Sequence, residues 1–368
     1  MRAILAHDAR VGKRKRNTLN DRYRHADLIA LAANLLERAG LDADKALATA
    51  EILVEGDLLG HTTHGLALLP AYLDTALAGK MAGCGVPEVV SSTAIVETWD
   101  GKRLPGPWLV RQAIAYASPR AREFGLSGVA IRRSCHIGCL AAYLRGIAEA
   151  GQMAIVASSD PSVASVAPFG GAERIYTPNP LAAGWPSPGG PVMIDVSMSI
   201  TTNGMTNRLR GEGKRFPHPW LLDGNGQPTD DPNAYFADPP GSLLPLGGAD
   251  SGHKGFALGL LLEALTSALA GFGRADAPKD WGASVFVLII DPARFGGAEA
   301  FLRETGWMEN AVHANRPAPG VERVRLPGER GLALRREGLA KGVVLHQSIP
   351  PMLKNRAEAA GLAMPRPV

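Results

Sequence analysis

From Ala26 onward apolar residues recur at helical spacing: Leu28, Leu31, Leu35 and Ala39 stand at i, i+3, i+7 and i+11, and Gly40 sits where a helix would stop. Asp42 is placed to cap a second helix, whose apolar face takes in Leu47, Ala50, Val54 and Leu58. A third helix is predicted over residues 66–78, ended by Gly79. The period then shortens to two. AIVETWDG (94–101), GVAIRRS (128–134), MAIVASS (153–159) and PVMIDVSMS (191–199) are β-branched or alternating and bounded by Gly or Pro, which predicts strands. Helical text separates them at 107–124 and 140–150. Residues 203–250 are rich in turn chemistry (GQPTDDP, PPGSLLPLGG), a helix is predicted over 255–270, and ASVFVLIIDPARF (283–295) is the strongest strand signal. No segment repeats. The pattern predicts a mixed α and β chain with a helical beginning and a sheet at its centre.

Composition narrows the class. With 46% hydrophobic and 20% charged residues among 368, the chain reads as an ordinary soluble globular protein, long enough for two domains. No apolar run has the length of a membrane span; the richest, 256–269, is interrupted by Glu263 and Thr266 and reads as a buried helix. The N-terminus does not read as a signal peptide, since its basic run follows the short apolar start. A sequence pI of about 9.0 suggests nucleic acid until the charge is located. Residues 1–24 hold eight Lys or Arg against Asp8 and Asp21, a net of +6, while the whole chain is +4, so the remainder sums to −2. The basicity belongs to a tail, expected to be a disordered extension, and the body is expected to bind neither nucleic acid nor membrane. Three cysteines (Cys84, Cys135, Cys139) make no disulfide framework, so a reducing cytoplasm is expected. Cys135-His136-x-x-Cys139 lacks a second ligand pair at finger-like spacing, and no metal is expected there.

Four stretches pair polar side chains with glycine. GDLLGHTTHG (56–65) places Asp57, His61 and His64 four and three apart, so a continuing helix would set them on one face; metal ligands, a proton relay and helix-end polar residues all fit. SCHIGC (134–139) puts His136 between a strand and a helix. IDVSMSITTNGM (194–205) follows a strand with Asp195 and several hydroxyls. GADSGHKGFALG (248–259) flanks Lys254 with Gly252 and Gly255 at the expected start of a helix, where lysine and helix amides together suit a phosphate. The usual dinucleotide loop is missing: GNGQPT (224–229) and GFGRAD (271–276) both fail G-x-G-x-x-G at its last position, and no phosphate-binding G-x-x-x-x-G-K-[ST] occurs.

Taken in order, these segments resemble the malate/L-lactate dehydrogenase family of NAD(P)-dependent oxidoreductases that stands apart from the Rossmann enzymes. Its relatives include sulfolactate and ureidoglycolate dehydrogenases, 2,3-diketo-L-gulonate reductase and Δ1-piperideine-2-carboxylate reductases. The resemblance spans about 28–329. It rests on THG (63–65) with Pro70 and Tyr72, S-x-H-x-G (134–138), APFGG (167–171) with NP (179–180), IDVSMS (194–199), LPLGG…GHKG (244–255) and LPGE (326–329). It implies an α/β (mixed α+β) non-Rossmann fold with a mainly antiparallel sheet in the cofactor-binding domain and a helical domain built from both chain ends. On that basis residues 1–24 are the basic extension, 25–90 the helical lobe, 91–300 the NAD(P)-binding domain and 301–368 a segment returning to the lobe. A homodimer is implied too.

The implied reaction moves hydride between nicotinamide and C2 of a small 2-hydroxy or 2-oxo acid, or a cyclic imine carboxylate, with a histidine as acid/base. By the resemblance His64 and His136 are the catalytic candidates, either being the acid/base; Thr63 and Tyr72 face substrate. The cofactor, NAD or NADP, is implied to meet Asp195, Val196, Ser197, Met198, Ser199, Ile200 and Thr201, then His253 and Lys254, then Gly328, Glu329 and Arg330. Asp57 and His61 are read as support. Two wordings depart from the family: Leu68 stands where an arginine suited to a substrate carboxylate is usual, so that either another cation, such as Arg132 or Arg208, binds the carboxylate or the substrate differs, and residues 177–180 read TPNP. The competing class is a metal-dependent hydrolase or lyase using Asp57, His61 and His64, since imidazole and carboxylate suit Zn or Mn.

Overall fold

The computed structural model describes residues 21–368. Its first helices are those of the apolar period: α1 (His25–Arg38) and α2 (Ala43–Leu58). The third is shorter than expected, a 3₁₀ turn at Leu66–Leu68 running into α3 (Leu69–Leu77). Together they bury Leu28, Leu36, Leu53, Leu66, Leu69 and Tyr72 in one core. The basic extension lies outside the described residues up to position 20. Its end is not disordered, however: Arg22–Tyr23 pair antiparallel with Val343–Val344, and Tyr23 is buried in that same core.

A seven-stranded sheet forms the centre: β1 (Glu88–Ser92), β2 (Val96–Asp100), β3 (Leu126–Ser134), β4 (Met153–Ser159), β5 (Leu181–Trp185), β6 (Val192–Val196) and β7 (Ala283–Ile290). The spatial order is β1-β2-β3-β7-β4-β5-β6. Every pairing is antiparallel except β2 with β3, which are parallel. The sheet therefore begins slightly before residue 91, and it includes two strands, β1 and β5, that the periodicity did not announce. Strand β7 is central because both faces suit burial. Val285, Val287 and Ile289 point to one side, against α4 (Gly106–Phe124), whose alanines Ala113, Ala117 and Ala121 allow close approach. Phe286, on the opposite face, meets the small cluster of Ala157, Met198 and Leu262. A one-turn helix, α5 (Leu144–Glu149), covers the outer strands, and α6 (Asn203–Gly211) stands in the loop-rich region.

The helix α7 (Gly248–Glu263) begins a full seven residues before the expected position and continues through a π-turn at Ala264–Ala268. Its glycines explain the difference. Gly252, Gly255 and Gly259 line its inner face, where an added Cβ would lie 3.2 Å from the Phe169 ring, 2.4 Å from the Leu246 carbonyl and 2.8 Å from the Tyr176 ring. These glycines serve helix packing and do not form a loop around a ligand. The buried Asn179 of TPNP ties the helix down: its side-chain amide donates to Gly259 O at 3.1 Å and to Glu263 Oε1 at 3.0 Å.

The C-terminal region divides. Helix α8 (Ala298–His313) packs beside residues 187–189, where Gly189 N donates to Glu309 at 3.0 Å and Thr305 Oγ1 donates to Pro186 O at 3.2 Å. Only α9 (Glu329–Lys341) and α10 (Ile349–Ala359) return to the helical lobe, α10 adding Ile349, Leu353 and Ala357 to its core.

Candidate active site

The opening histidines are not on a helix. Helix α2 stops in a Schellman arrangement: Gly60, at φ +85°, donates to Asp57 O, and His61 N donates to Gly56 O. Residues 61–65 then turn back over the helix end, so the expected single face of Asp57, His61 and His64 does not form. Asp57 instead accepts the Leu66 amide at 2.7 Å inside the protein. Gly65 is obligatory there, since a Cβ would stand 2.4 Å from the Asp57 carboxylate. Burial pushes the Asp57 carboxyl up to about 7, against the Leu66 hydrogen bond and Arg208, which favour its charge.

An aspartate whose folded value lies above its ordinary one binds protons in the native state that the unfolded chain has released. Stability therefore falls as pH rises between about 3.8 and about 7. The Asp57→Asn variant keeps an acceptor for Leu66 and loses this cost. It is expected to unfold at a higher temperature than the parent at pH 8, by a stability gain on the order of 2–4 kcal/mol. The difference narrows toward pH 4. Paired calorimetric melts at the two pH values check it; equal gains at both would remove the burial cost.

His136 stands in the loop after β3. Gly106, at the start of α4, lies close under this loop: a Cβ there would come within 2.2 Å of Cys135 O and 2.5 Å of His136 O. His136 Nδ1 accepts from the Gly138 amide at 3.1 Å, and Tyr72 OH, 3.0 Å from the same nitrogen, donates to His136 O at 2.7 Å. The only proton on the neutral ring is therefore on Nε2. Trp281 stacks on the ring at 4.8 Å, with Tyr72 edge-on to both. Burial, with His64 adding to it, holds His136 down to about 3, so it stays neutral at physiological pH.

The His64 ring is stacked 6.2 Å from His136 between centroids. Its Nδ1 meets Thr63 Oγ1 at 2.9 Å, leaving Nε2 without a hydrogen-bond partner among the described residues. Burial lowers its affinity for a proton, Asp195 opposes that, and His61 and Arg208 reinforce it. Asp195, at the end of β6, accepts the Ala141 amide at 2.9 Å. Arg208 reaches from α6 to the turn of the histidines, donating from Nη1 to Thr62 Oγ1 and from Nη2 to Thr62 O, both at 2.9 Å.

The structure thus gathers Thr63, His64, Tyr72, His136 and Asp195, and it adds Trp281, His61, Cys139 and Arg208 to them. Arg132 is not among them: it is ion-paired at 2.9 Å to Asp100, a buried carboxylate that Arg133 also holds. Within the segment after Asp195, Val196 and Ser197 retain exposure while Met198, Ser199 and Thr201 turn inward. Met198 lies in the core beneath α7, and Ser199 Oγ donates to Thr201 O at 2.6 Å. Ile200 adjoins Gly248 at the start of α7. His253 sets its ring edge-on to Phe169, and both His253 and Lys254 lie on the exposed side of α7, more than a turn past its N-terminal amides. Lys254 and the helix start therefore do not form the phosphate cradle suggested by the glycines. Gly328 packs on the Met193 backbone at the other end of β6, Glu329 meets His313, and Arg330 is exposed.

The trio for a hydrolytic metal centre is likewise not assembled. Among the described residues the one grouping with ligand spacing is His61, Cys139 and Asp195, which contains a single member of the expected set. Trp281 escaped sequence reading because a lone tryptophan before a strand resembles any core residue. Cys139 and Asp195 were visible separately, and only the fold brings them together.

A family model described as malate/L-lactate dehydrogenase matches residues 23–354. The (2R)-3-sulfolactate dehydrogenase (NADP(+)) of Chromohalobacter salexigens is 36% identical over 325 residues, covering 85% of this chain and 91% of that protein. The Δ1-pyrroline-2-carboxylate reductase of Ancylobacter novellus is 30% identical over 346 residues, covering 91% and 96%. A crystal structure of malate dehydrogenase from Entamoeba histolytica shares the fold, with a TM-score of 0.87 at 23% identity over 94% of this chain and 99% of that one. By the family model across most of its length, and by relatives of this identity and coverage, the chain belongs to the malate/L-lactate dehydrogenase family and is an oxidoreductase acting on CH–OH or C=N groups.

Proposed function

We propose that the protein transfers hydride between NAD(P) and C2 of a small 2-oxo or 2-hydroxy acid, or of a cyclic imine carboxylate, with His64 as the acid/base and His136 as a fixed hydrogen-bond donor. The observation that carries this reading is the asymmetry of the two histidines. His136 has its Nδ1 committed to Gly138 N–H and is too deeply buried to protonate, so its Nε2–H is a permanent donor toward a carbonyl oxygen or imine nitrogen. His64 has Asp195 nearby to favour its protonated form and a free Nε2, which suits it to give a proton in reduction and take one in oxidation.

The cofactor supplies or accepts the hydride at the nicotinamide ring. The segment Asp195–Thr201 fits a dinucleotide because it adjoins, through Ile200 and the bare Gly248, the N-terminal end of α7, where backbone amides favour phosphate. Gly328–Arg330 flank the same strand at its other end, beside Met193. Tyr72 and Trp281 hold the His136 ring and wall off water. Arg208, the cation beside the histidine turn, is the partner we assign to the substrate carboxylate in place of Arg132. Leu68, where an arginine is usual, packs onto the lobe core.

We also infer a homodimer. The inner face of α7 is glycine, yet Leu258, Leu260 and Leu261 are exposed away from it and Leu269 is exposed just past the π-turn, an apolar surface that suits burial against a second copy. A cytoplasmic location accords with three free cysteines, and no described helix is long and apolar enough to cross a membrane.

Titration of the purified protein with NADH and NADPH, followed by nicotinamide fluorescence, tests the assignment. Saturable binding of one nucleotide is expected, together with its oxidation on adding 2-oxo acids or cyclic imine carboxylates. Failure to bind either nucleotide would sink it.

A further inference from the structure

A second constellation shares a wall with the proton-transfer pair. His61 comes from the turn after α2, Cys139 from the loop after β3 and Asp195 from the end of β6, so chain segments remote in sequence converge on one point. One donor atom from each lies within 4.8 Å of the others, and Cys139 Sγ stands 3.7 Å from Asp195 Oδ2. We propose that His61, Cys139 and Asp195 form a binding site for a thiophilic divalent metal ion, Zn²⁺ foremost, whose occupancy draws Asp195 out of the segment proposed to hold the cofactor and inhibits the enzyme. The inhibitory half rests on the proposed role of the Asp195–Thr201 segment; the binding half does not.

The donor set argues for zinc. Bonds of about 2.3 Å to sulfur and 2.0–2.2 Å to nitrogen or oxygen place tetrahedral ligands roughly 3.3–3.6 Å apart. The Cys139–Asp195 edge is already near that value, and the triangle closes with side-chain adjustments of about 1 Å. A thiolate, a carboxylate and a neutral imidazole balance the charge of a divalent ion, which matters beside the cationic Arg208. The thiolate favours Zn²⁺ over Mg²⁺ or Ca²⁺. The Ala141 amide, donating to Asp195 Oδ2, orients the carboxylate from behind. Cys139 is buried, whereas His61 and Asp195 are partly exposed, so an ion arrives from the cleft and keeps its fourth position open there. On binding, the Cys139 S–H bond breaks and its proton passes to the buffer as the S–Zn bond forms. Nothing is oxidised or reduced.

The full chain, stripped with a chelator and dialysed, is titrated with Zn²⁺ and, separately, with Co²⁺ as an absorbing probe. The parent is expected to retain one ion per chain through gel filtration and to show a sulfur-to-cobalt charge-transfer band. Cys139→Ala should abolish the band, and His61→Asn, at a partly exposed position that leaves the core intact, should weaken binding about tenfold or more. Equal retention by parent and both variants, or a cobalt spectrum without the sulfur band, would overturn the site. In turnover assays Zn²⁺ should inhibit the parent at concentrations about tenfold below those needed for His61→Asn. Binding without inhibition would overturn the regulatory half, leaving the metal site in place.

Discussion

Replacing His64 by Asn is expected to lower kcat for 2-oxo acid reduction by about 10²–10⁴-fold, the usual worth of a positioned acid/base. Nucleotide binding should be nearly unchanged, because the imidazole hydrogen-bonds to Thr63 and not to the segment Asp195–Thr201 implied to hold the cofactor. The contrast with His136 is the informative part. His136→Gln keeps an N–H donor, loses no titrating group, and should cost kcat much less while leaving the pH profile in place. The parent's oxidation rate should fall on the acid side as His64 takes up a proton, at a pH below the ordinary histidine value of 6.5 because burial disfavours the imidazolium. That limb should vanish in His64→Asn and persist in His136→Gln. Stopped-flow hydride transfer across pH 4–8 would read it. A limb surviving in His64→Asn would move the acid/base role elsewhere.

The sequence carried the parts of this molecule that depend on local period. Helices α1, α2 and α4 and strands β4 and β7 appear close to where alternation and helical spacing place them. Strand β5 was invisible for a physical reason: LAAGW (181–185) has neither alternation nor β-branched residues, and it is a strand because Ala182 and Gly184 share the face under helix α5, where a Cβ on Gly184 would lie 2.9 Å from Leu144. The early part of α7 was hidden by its glycines. Read locally they forbid a helix, but their contacts with Phe169, Leu246 and Tyr176 show that close packing outweighs their low propensity.

For the site, the structure brings together the histidines and Tyr72 named by the family resemblance, while the division of labour proposed for His64 and His136 had no signal in the sequence. That proposal draws on the Gly138 N–H bond to His136 Nδ1 and on the pull of Asp195 on His64, both products of the loop's folded path. The same limit applies to Arg132 and Arg208. In sequence Arg132 is the more attractive, four residues before His136. Its guanidinium is nevertheless engaged by Asp100, a contact between neighbouring parallel strands that no local pattern announces.

Arg208→Ala is accordingly expected to raise KM for carboxylate substrates by about 10–100-fold, a charge-assisted hydrogen bond being worth about 1.5–3 kcal/mol. Arg208→Lys should fall between, since an ammonium keeps the charge and loses the planar fork. Arg208 also staples the histidine turn through its two bonds to Thr62, so loss of the staple must be separated from loss of the anion partner. A methyl ester of the substrate does this. If Arg208 holds the carboxylate, the parent prefers acid over ester and the alanine variant loses that preference; if Arg208 only staples the loop, acid and ester decline together. A second readout comes from electrostatics. The Arg208 cation holds down the proton affinity of His64, so its removal should move the acid limb of the oxidation profile to higher pH. The same substitution removes a cation that favours ionised Asp57, raising that carboxyl further and extending the fall of stability to higher pH. A KM effect confined to the acid, joined to an upward shift of the limb, would place Arg208 between substrate and acid/base; a limb that stays fixed would detach it from His64.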